Sequence, residues 1–197
     1  MDSGRGLFVV LEGADGCGKS TQARRLVEVL RDRGHPVRHV RDPGSTPVAE
    51  GVRRLLLDPA TGDVDVRAET FLYLAARAQL AAEVVEPALA AGEHVVCERW
   101  TLSTEVYQGV AGGLGAEVVR GLAAVAEGRA RPDLTLLLDV DEGEGYARLG
   151  TDHDRMEAKG TRFHADVVRG YRLLAAGRPG VRVVPSGSEA AVAAAIV

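Results

Sequence analysis

The chain has 197 residues, a formal net charge of −4 and 46% hydrophobic residues. This length and composition predict one domain, residues 1–197, that buries a sizeable core. The negative charge gives no sign of a nucleic-acid-binding surface, and no apolar run is long enough to span a membrane.

The first predicted strand, Leu7–Leu11, leads directly into a glycine-rich loop. Residues 13–20 read Gly-Ala-Asp-Gly-Cys-Gly-Lys-Ser, and a predicted helix, Ser20–Arg33, follows. This spacing predicts a phosphate-binding loop, because glycines let successive backbone N–H groups surround an anion and the helix N-terminus adds a positive dipole. Lys19 is expected to contact the β- and γ-phosphates, and the Ser20 hydroxyl to ligate Mg²⁺.

The remaining strands and helices alternate along the chain. Further strands are predicted at Val37–Arg41, His94–Cys97, Leu134–Val140 and Val181–Val184. Helices are predicted at Val48–Leu57, Val66–Ala91, Ser103–Val110, Ala116–Glu127, Glu142–Leu149, Thr161–Ala176 and Ser188–Val197. Pro87 is expected to bend the longest of these helices near its end. The alternation predicts an α/β fold, a five-stranded parallel sheet with helices on both faces.

Acidic residues follow four of the predicted strands, namely Asp15, Asp42, Glu98 and Asp139–Asp141. Because ligands of such sheets bind beyond the carboxyl ends of the strands, we expect these side chains to cluster at one rim. The arginine pair Arg53-Arg54, by contrast, is expected on a solvated helix face.

The sequence excludes two large classes of phosphate-loop protein. It contains no asparagine, so it lacks the Asn-Lys-x-Asp motif with which GTPases read guanine, and it is too short for a motor or transporter ATPase. Cys17 and Cys97 show no metal-ligand spacing and no disulfide framework, and the six residues before the first strand are too short for a secretion signal. We therefore expect a small cytoplasmic kinase.

Seven segments in order resemble the thymidylate kinase family over essentially the full chain. They are Leu11–Gln22, Arg41–Thr46, Ala75–Gln79, Glu98–Trp100, Ser103-Thr104 with Tyr107–Gly109, Arg131–Val140, and Asp154–Glu157. The resemblance implies a P-loop NTPase of the nucleoside monophosphate kinase fold, with a short lid at residues 149–160. It also implies a homodimer that transfers the γ-phosphoryl group of ATP to dTMP, giving dTDP, with Mg²⁺.

The implied acceptor is a phosphate with a second pKa of about 6, so no general base is required at neutral pH. The protein must instead align two polyanions and neutralise them. By resemblance, the catalytic residues are Lys19, Arg99, Arg155 and Asp15. ATP would bind to Gly13, Ala14, Asp15, Gly16, Cys17, Gly18, Lys19, Ser20, Thr21 and Arg148. The metal would lie at Ser20 and Glu98.

The lid is expected to supply the arginine that stabilises the transition state. Some family members carry an arginine in the phosphate loop where this chain has Gly16. The resemblance therefore implies a lid arginine that arrives on closure, with Arg155 as the first candidate and Arg148 as the second.

Nine residues are implied at the acceptor nucleotide: Asp15, Asp42, Tyr73, Arg77, Arg99, Ser103, Thr104, Tyr107 and Gln108. Arg99 would clamp the acceptor phosphate and Asp15 would contact the 3′-hydroxyl. Tyr73 would stack on the base, Arg77 would read a base carbonyl, and Tyr107 would crowd the 2′ position and favour deoxyribose. Three of the nine, Ser103, Thr104 and Gln108, are equally compatible with helix capping and turn polarity.

Departures from the family pattern leave the acceptor open. They fall at Asp42, Ser45, Tyr73, Ala76 and Glu98. Glu98 would hold Mg²⁺ through water or orient Arg99. One alternative is a kinase for another nucleotide or for a nucleoside, with Asp42 as the base that a hydroxyl acceptor needs. A nucleotide-binding regulator without turnover is a third hypothesis.

Overall fold

A computed structural model describes residues 4–150 and 153–196. The sheet contains five strands: β1 Phe8–Glu12, β2 Val37–Arg41, β3 His94–Glu98, β4 Leu134–Leu138 and β5 Val181–Val184. All neighbouring strands are parallel, and their order is β2-β3-β1-β4-β5. The predicted five-stranded parallel sheet is confirmed.

Nine α-helical segments lie among the strands in the described part of the chain. They are α1 Lys19–Asp32, α2 Pro47–Leu57, α3 Val66–Leu80, α4 Glu86–Ala90, α5 Thr101–Thr104, α6 Ala116–Ala126, α7 Glu144–Ala147, α8 Thr161–Ala175 and α9 Glu189–Ile196. Short 3₁₀ turns lie at Pro59–Thr61 and Glu157–Lys159. Val197, which the last predicted helix included, lies outside the described residues.

Two π-helical stretches change the predicted helix boundaries. Ala81–Val85 joins α3 to α4, so the predicted helix Val66–Ala91 is continuous but locally unwound. Pro87 explains this position, because a proline has no N–H and cannot bond the carbonyl four residues before it. Glu105–Ala111 continues α5 in the same way, and the whole stretch carries several residues predicted for the acceptor pocket.

Alternating strand residues build three hydrophobic clusters on the two faces of the sheet. Leu11 and Val96 pack with α1 and α9. Val10 and Cys97, their neighbours along the strands, pack against the α3–α4 helix on the other face. Leu137 faces a third cluster with α8 and the segment after α5. This period of two, with both faces apolar, is the reason that the strands read as short continuous hydrophobic runs.

The α7 helix, which precedes the predicted lid, lies directly against the phosphate loop. The α7 helix is shorter than predicted and begins after Gly143, whose φ of 137° no helix can include. A Cβ on Gly16 would lie 2.0 Å from the Gly145 carbonyl oxygen, and a Cβ on Gly145 would lie 2.6 Å from the Asp15 carbonyl oxygen. Two glycines thus permit this backbone contact. Residues 151 and 152 of the predicted lid are outside the described part.

None of the helices in residues 4–150 and 153–196 combines the length and the hydropathy that crossing a bilayer requires.

Candidate active site

The phosphate loop is folded around the ammonium group of Lys19. Gly18, the N-cap residue immediately before α1, has a φ of 91°, a conformation that favours glycine. Lys19 Nζ donates to the carbonyl oxygens of Gly13, at 3.0 Å, and Ala14, at 2.8 Å, and the side chain is buried. The loop therefore holds a positive charge directly beside the backbone amides that lead into α1.

A hydroxyl and a carboxylate meet at the open side of this loop. Ser20 Oγ donates to Glu98 Oε2, and His39 Nε2 lies 2.9 Å from Glu98 Oε1. Burial raises the pKa of Glu98, but hydrogen bonds from His39 and Ser20 outweigh it and leave the pKa below its usual range. The described residues include no group of three or more metal-ligating side chains. Two hard oxygen donors beside a phosphate site nevertheless fit Mg²⁺, which keeps waters and takes its other ligands from phosphates.

Arg99 lies between the phosphate loop and a second pocket. Its φ is 67°, a left-handed conformation that is costly for a residue with a side chain. Its guanidinium forms an ion pair with Asp15 and donates to Gly13 O and Ser103 Oγ, and to the hydroxyls of Tyr171 and Tyr107. Three of these acceptors lie 3.0–3.1 Å away. Arg99 is thus fixed in place by the fold before any ligand arrives.

A buried carboxylate, Glu12, is hydrogen-bonded to Ser103 and Tyr171, two of the partners of Arg99. Glu12 is fully buried at the end of β1 and accepts hydrogen bonds from Trp100 N, Ser103 N, Ser103 Oγ and Tyr171 OH at 2.5–3.1 Å. Burial raises the pKa of Glu12 above its ordinary value, although these donors and Arg99 oppose the shift. Glu12 is not among the site residues predicted from the sequence. The signal was an acidic residue closing an otherwise apolar strand.

Asp15 is ionised although it is largely buried. Tyr107 OH donates to Asp15 Oδ2 at 2.6 Å, and Arg99 pairs with the other oxygen. Burial raises the pKa of Asp15, but the charges of Arg99 and Lys19 and the Tyr107 hydrogen bond hold it well below its usual range. A carboxylate inside a phosphate loop is therefore tolerated because Arg99 and Lys19 compensate its charge.

All nine residues predicted for the acceptor line one pocket. It encloses about 540 Å³, open to solvent at its mouth, and its lining includes Asp15, Asp42, Tyr73, Arg77, Arg99, Ser103, Thr104, Tyr107 and Gln108. Arg53 and Asp154 also line it. The expectation that Arg53 lies on a solvated helix face is wrong: Arg53 Nη1 donates to Pro43 O at 3.0 Å, and the side chain reaches this pocket and the phosphate cleft.

Arg77 and Asp42 form a buried ion pair at the wall of this pocket. Arg77 Nε donates to Asp42 Oδ2 at 2.6 Å, and its Nη groups donate to Thr101 and Thr104 at 3.3 and 2.7 Å. Asp42 Oδ1 is buried with no hydrogen-bond partner among the described residues. Burial raises the pKa of Asp42, and Arg77 opposes the shift. The guanidinium also lies over the Trp100 ring, 5.4 Å from its centroid.

The phosphate cleft contains most of the residues predicted for ATP. Gly16, Gly18, Lys19, Ser20, Thr21 and Arg148 line it, together with Asp15, Glu98 and Arg99. Gly13 and Ala14 contribute carbonyls to the inside of the loop, and the Cys17 thiol lies 3.6 Å from Lys19 Nζ. Asp139 does not join Asp15, Asp42 and Glu98 at the cleft as expected, because Arg172 on α8 pairs with it at 2.9 Å.

The two candidate lid arginines lie in different surroundings. Arg155 is buried: Nε donates to Leu56 O at 2.7 Å and Nη2 to Glu69 Oε2 at 2.5 Å. The structure therefore does not bring Arg155, the first candidate, to the phosphate loop, because Glu69 holds it on the acceptor side. Arg148 is exposed at the end of α7 and donates to Gly16 O at 3.4 Å.

The fold and the two joined pockets define a P-loop kinase of the nucleoside monophosphate kinase class. A family model described as thymidylate kinase matches residues 11–196. The chain belongs to the thymidylate kinase family.

Known proteins that are similar over most of the chain support this assignment. A thymidylate kinase of Geobacter sulfurreducens is 40% identical, covering 96% of this chain and 93% of that protein. One of Solidesulfovibrio magneticus is 46% identical, covering 88% and 87%. The crystal structure of thymidylate kinase from Ehrlichia chaffeensis superposes with a TM-score of 0.79 at 27% identity, covering 98% of this chain and 96% of that one.

The Tyr171 hydroxyl connects Glu12, Ser103 and Arg99, so its removal tests whether this network orients Arg99. We expect Tyr171→Phe to fold and to lower kcat/KM for the acceptor nucleotide about tenfold, because Arg99 loses one of its fixed partners. Steady-state kinetics and thermal unfolding of the variant check this. A lower melting temperature with unchanged kcat/KM would show that the hydroxyl serves only the fold.

Proposed function

We propose that the protein catalyses transfer of the γ-phosphoryl group of ATP to dTMP, forming dTDP and ADP. The observation that carries this proposal is the position of Arg99, which contacts the phosphate loop at Gly13 and lines the acceptor pocket. A fixed guanidinium at that junction suits an acceptor phosphate that must meet the γ-phosphate of ATP in line. The similar thymidylate kinases support the choice of acceptor.

The ATP phosphates would bind in the cleft at the phosphate loop. Lys19 Nζ, now bonded to the carbonyls of Gly13 and Ala14, would contact phosphate oxygens, and the amides at the start of α1 would donate to them. Ser20 and Glu98 would hold Mg²⁺, Glu98 directly or through water. When bound, the ion neutralises charge on the β- and γ-phosphates.

The acceptor would bind in the second pocket with its phosphate at Arg99. Asp15 would accept a hydrogen bond from the sugar 3′-hydroxyl, and Tyr107 would leave little room at the 2′ carbon. Tyr73 and Arg77 would contact the base, and Ser103, Thr104 and Gln108 would complete the wall. The acceptor phosphate is already deprotonated, so these residues bind and align without removing a proton.

A screen of acceptors tests the proposal. ADP release is measured with ATP and dTMP, dUMP, dCMP, dGMP, UMP or thymidine. We expect the highest kcat/KM with dTMP, and we expect Arg99→Ala to lower that value at least about a hundredfold. The control is Arg129→Ala, since the Arg129 side chain is 92% exposed and lines neither pocket. Turnover of thymidine above dTMP would favour the nucleoside kinase hypothesis, and ATP binding without turnover of any acceptor would favour the regulator.

The geometry favours Arg148 as the lid arginine that stabilises the transition state. It already lines the phosphate cleft, whereas Arg155 would have to leave buried partners. We expect Arg148→Ala to lower kcat by about 10²-fold or more with unchanged stability. We expect Arg155→Ala to lower the free energy of unfolding by about 3 kcal/mol, because it breaks a buried pair. Normal kcat in Arg148→Ala, with loss of kcat in a stable Arg155→Ala protein, would assign the role to Arg155.

We propose that the active form is a cytoplasmic homodimer of one-domain chains, each with a lid at residues 149–160. The neighbouring helices α3 and α6 expose apolar side chains, Phe71 at 59% and Val118 at 53%, which a second copy would cover. Light scattering should give twice the chain mass of 20.8 kDa, and Phe71→Glu should shift the protein towards the monomer. A wild-type protein that is monomeric at micromolar concentration would reject the dimer.

A further inference from the structure

Glu69 on α3 joins the acceptor pocket to the C-terminal half of the predicted lid, residues 149–160. It is 1% exposed, and its carboxylate accepts hydrogen bonds from Gln108 Nε2 at 2.8 Å, Arg155 Nη2 at 2.5 Å and Lys159 Nζ at 3.0 Å. It is not among the residues that line the acceptor pocket. Sequence reasoning assigned it no role.

The carboxylate determines which end of the Gln108 amide faces the pocket. Burial raises the pKa of Glu69, but hydrogen bonds from Gln108 and Arg155 and the charge of Lys159 bring it below its ordinary value. An ionised carboxylate only accepts hydrogen bonds, so Gln108 must turn its NH₂ group towards Glu69. Gln108 Oε1 then accepts no hydrogen bond from any described residue, and the side chain lines the acceptor pocket.

Arg77 supplies the complementary groups in the same pocket. Its guanidinium has five N–H donors, and its three hydrogen bonds go to Asp42, Thr101 and Thr104. Two donors thus remain for a ligand. The pocket offers a base the free donors of Arg77 and the acceptor oxygen of Gln108.

This arrangement of donors and acceptor is complementary to a keto pyrimidine and not to cytosine. Thymine and uracil present an N3–H donor beside the O4 acceptor, whereas cytosine presents an N3 acceptor beside an amino donor. A site with the wrong donor or acceptor leaves buried polar groups unpaired, which is a strong basis for rejection. We propose that Glu69 is a specificity-determining positioning residue, which fixes the Gln108 amide so that the pocket selects dTMP or dUMP over dCMP. This inference rests on the proposed function and names the basis of its acceptor choice.

Glu69→Gln tests the inference because it reverses the amide. Arg155, the closer cation, would keep the single carbonyl oxygen of the introduced glutamine, and the partly exposed Lys159 would turn to solvent. The introduced NH₂ would then face Gln108. Gln108 would then flip and present its own NH₂ to the base. We expect the ratio of kcat/KM for dTMP to kcat/KM for dCMP to fall about tenfold or more.

Two controls separate this effect from general damage. Glu105 is also fully buried and is paired with two arginines, Arg120 and Arg178, but it does not line the pocket. Glu105→Gln should therefore leave the dTMP to dCMP ratio unchanged. In a Gln108→Leu background, which has no amide to orient, Glu69→Gln should not change the ratio further. If Glu69→Gln does not fold, Glu69→Gln with Lys159→Met, which removes one anion with one of its cations and keeps Arg155, should show the same fall.

The outcomes separate the two claims. If wild-type protein does not phosphorylate dTMP, the proposed function fails. If wild-type protein prefers dTMP but the folded Glu69→Gln variant keeps the wild-type ratio within about twofold, the inference is overturned and the proposed function stands. An equal fall in Glu105→Gln, or an undiminished effect of Glu69→Gln in the Gln108→Leu background, would also overturn it.

Discussion

The Arg99 guanidinium is held by an anion, a loop carbonyl and three hydroxyls, and the rest of the active site is arranged around it. The left-handed backbone of Arg99 is costly. Glu12 offsets that cost by accepting hydrogen bonds from the amides of Trp100 and Ser103, which follow Arg99 in the chain. The same carboxylate holds Tyr171, which holds Arg99 in turn. If ATP and dTMP bind as proposed, positive charge is fixed in advance where their phosphates meet, so little reorganisation remains for the moment of transfer.

Two further sets of contacts involve the predicted lid, residues 149–160, and the α7 helix that precedes it. The α7 helix touches the phosphate loop through the backbones of Gly16 and Gly145, so its position depends on the absence of side chains there. On the opposite side, Glu69 binds Arg155 and Lys159 from the chain at the end of the lid, and Gln108 from the acceptor wall. The phosphate loop thus contacts the helix before the predicted lid, and the wall of the acceptor pocket contacts the predicted lid itself.

The fold was predictable because its signals are local. Short apolar strands and a glycine loop opening a helix specify a parallel sheet without long-range information, and the resemblance carried the nine acceptor residues to one pocket. The π-helical form of the two turns was not predictable, because Pro87 predicts a break in the helix but not its geometry, and the segment after α5 contains no proline. Arg53 was misplaced, and the burial of Arg155 was not foreseen, for a related reason: whether an arginine is buried depends on its partner in the fold, here the Pro43 carbonyl for Arg53 and Glu69 for Arg155. Glu12 was overlooked because its partners lie far away in the sequence, on the segment after β3 and on α8.

The most direct test of the central claim is a crystal structure with dTMP and a non-hydrolysable ATP analogue bound together. The account predicts that the Arg99 guanidinium contacts the dTMP phosphate while it keeps its bonds to Ser103 and Tyr171, with the analogue phosphates in the loop at Lys19. An acceptor phosphate bound elsewhere, or an Arg99 side chain that has left these partners, would contradict it.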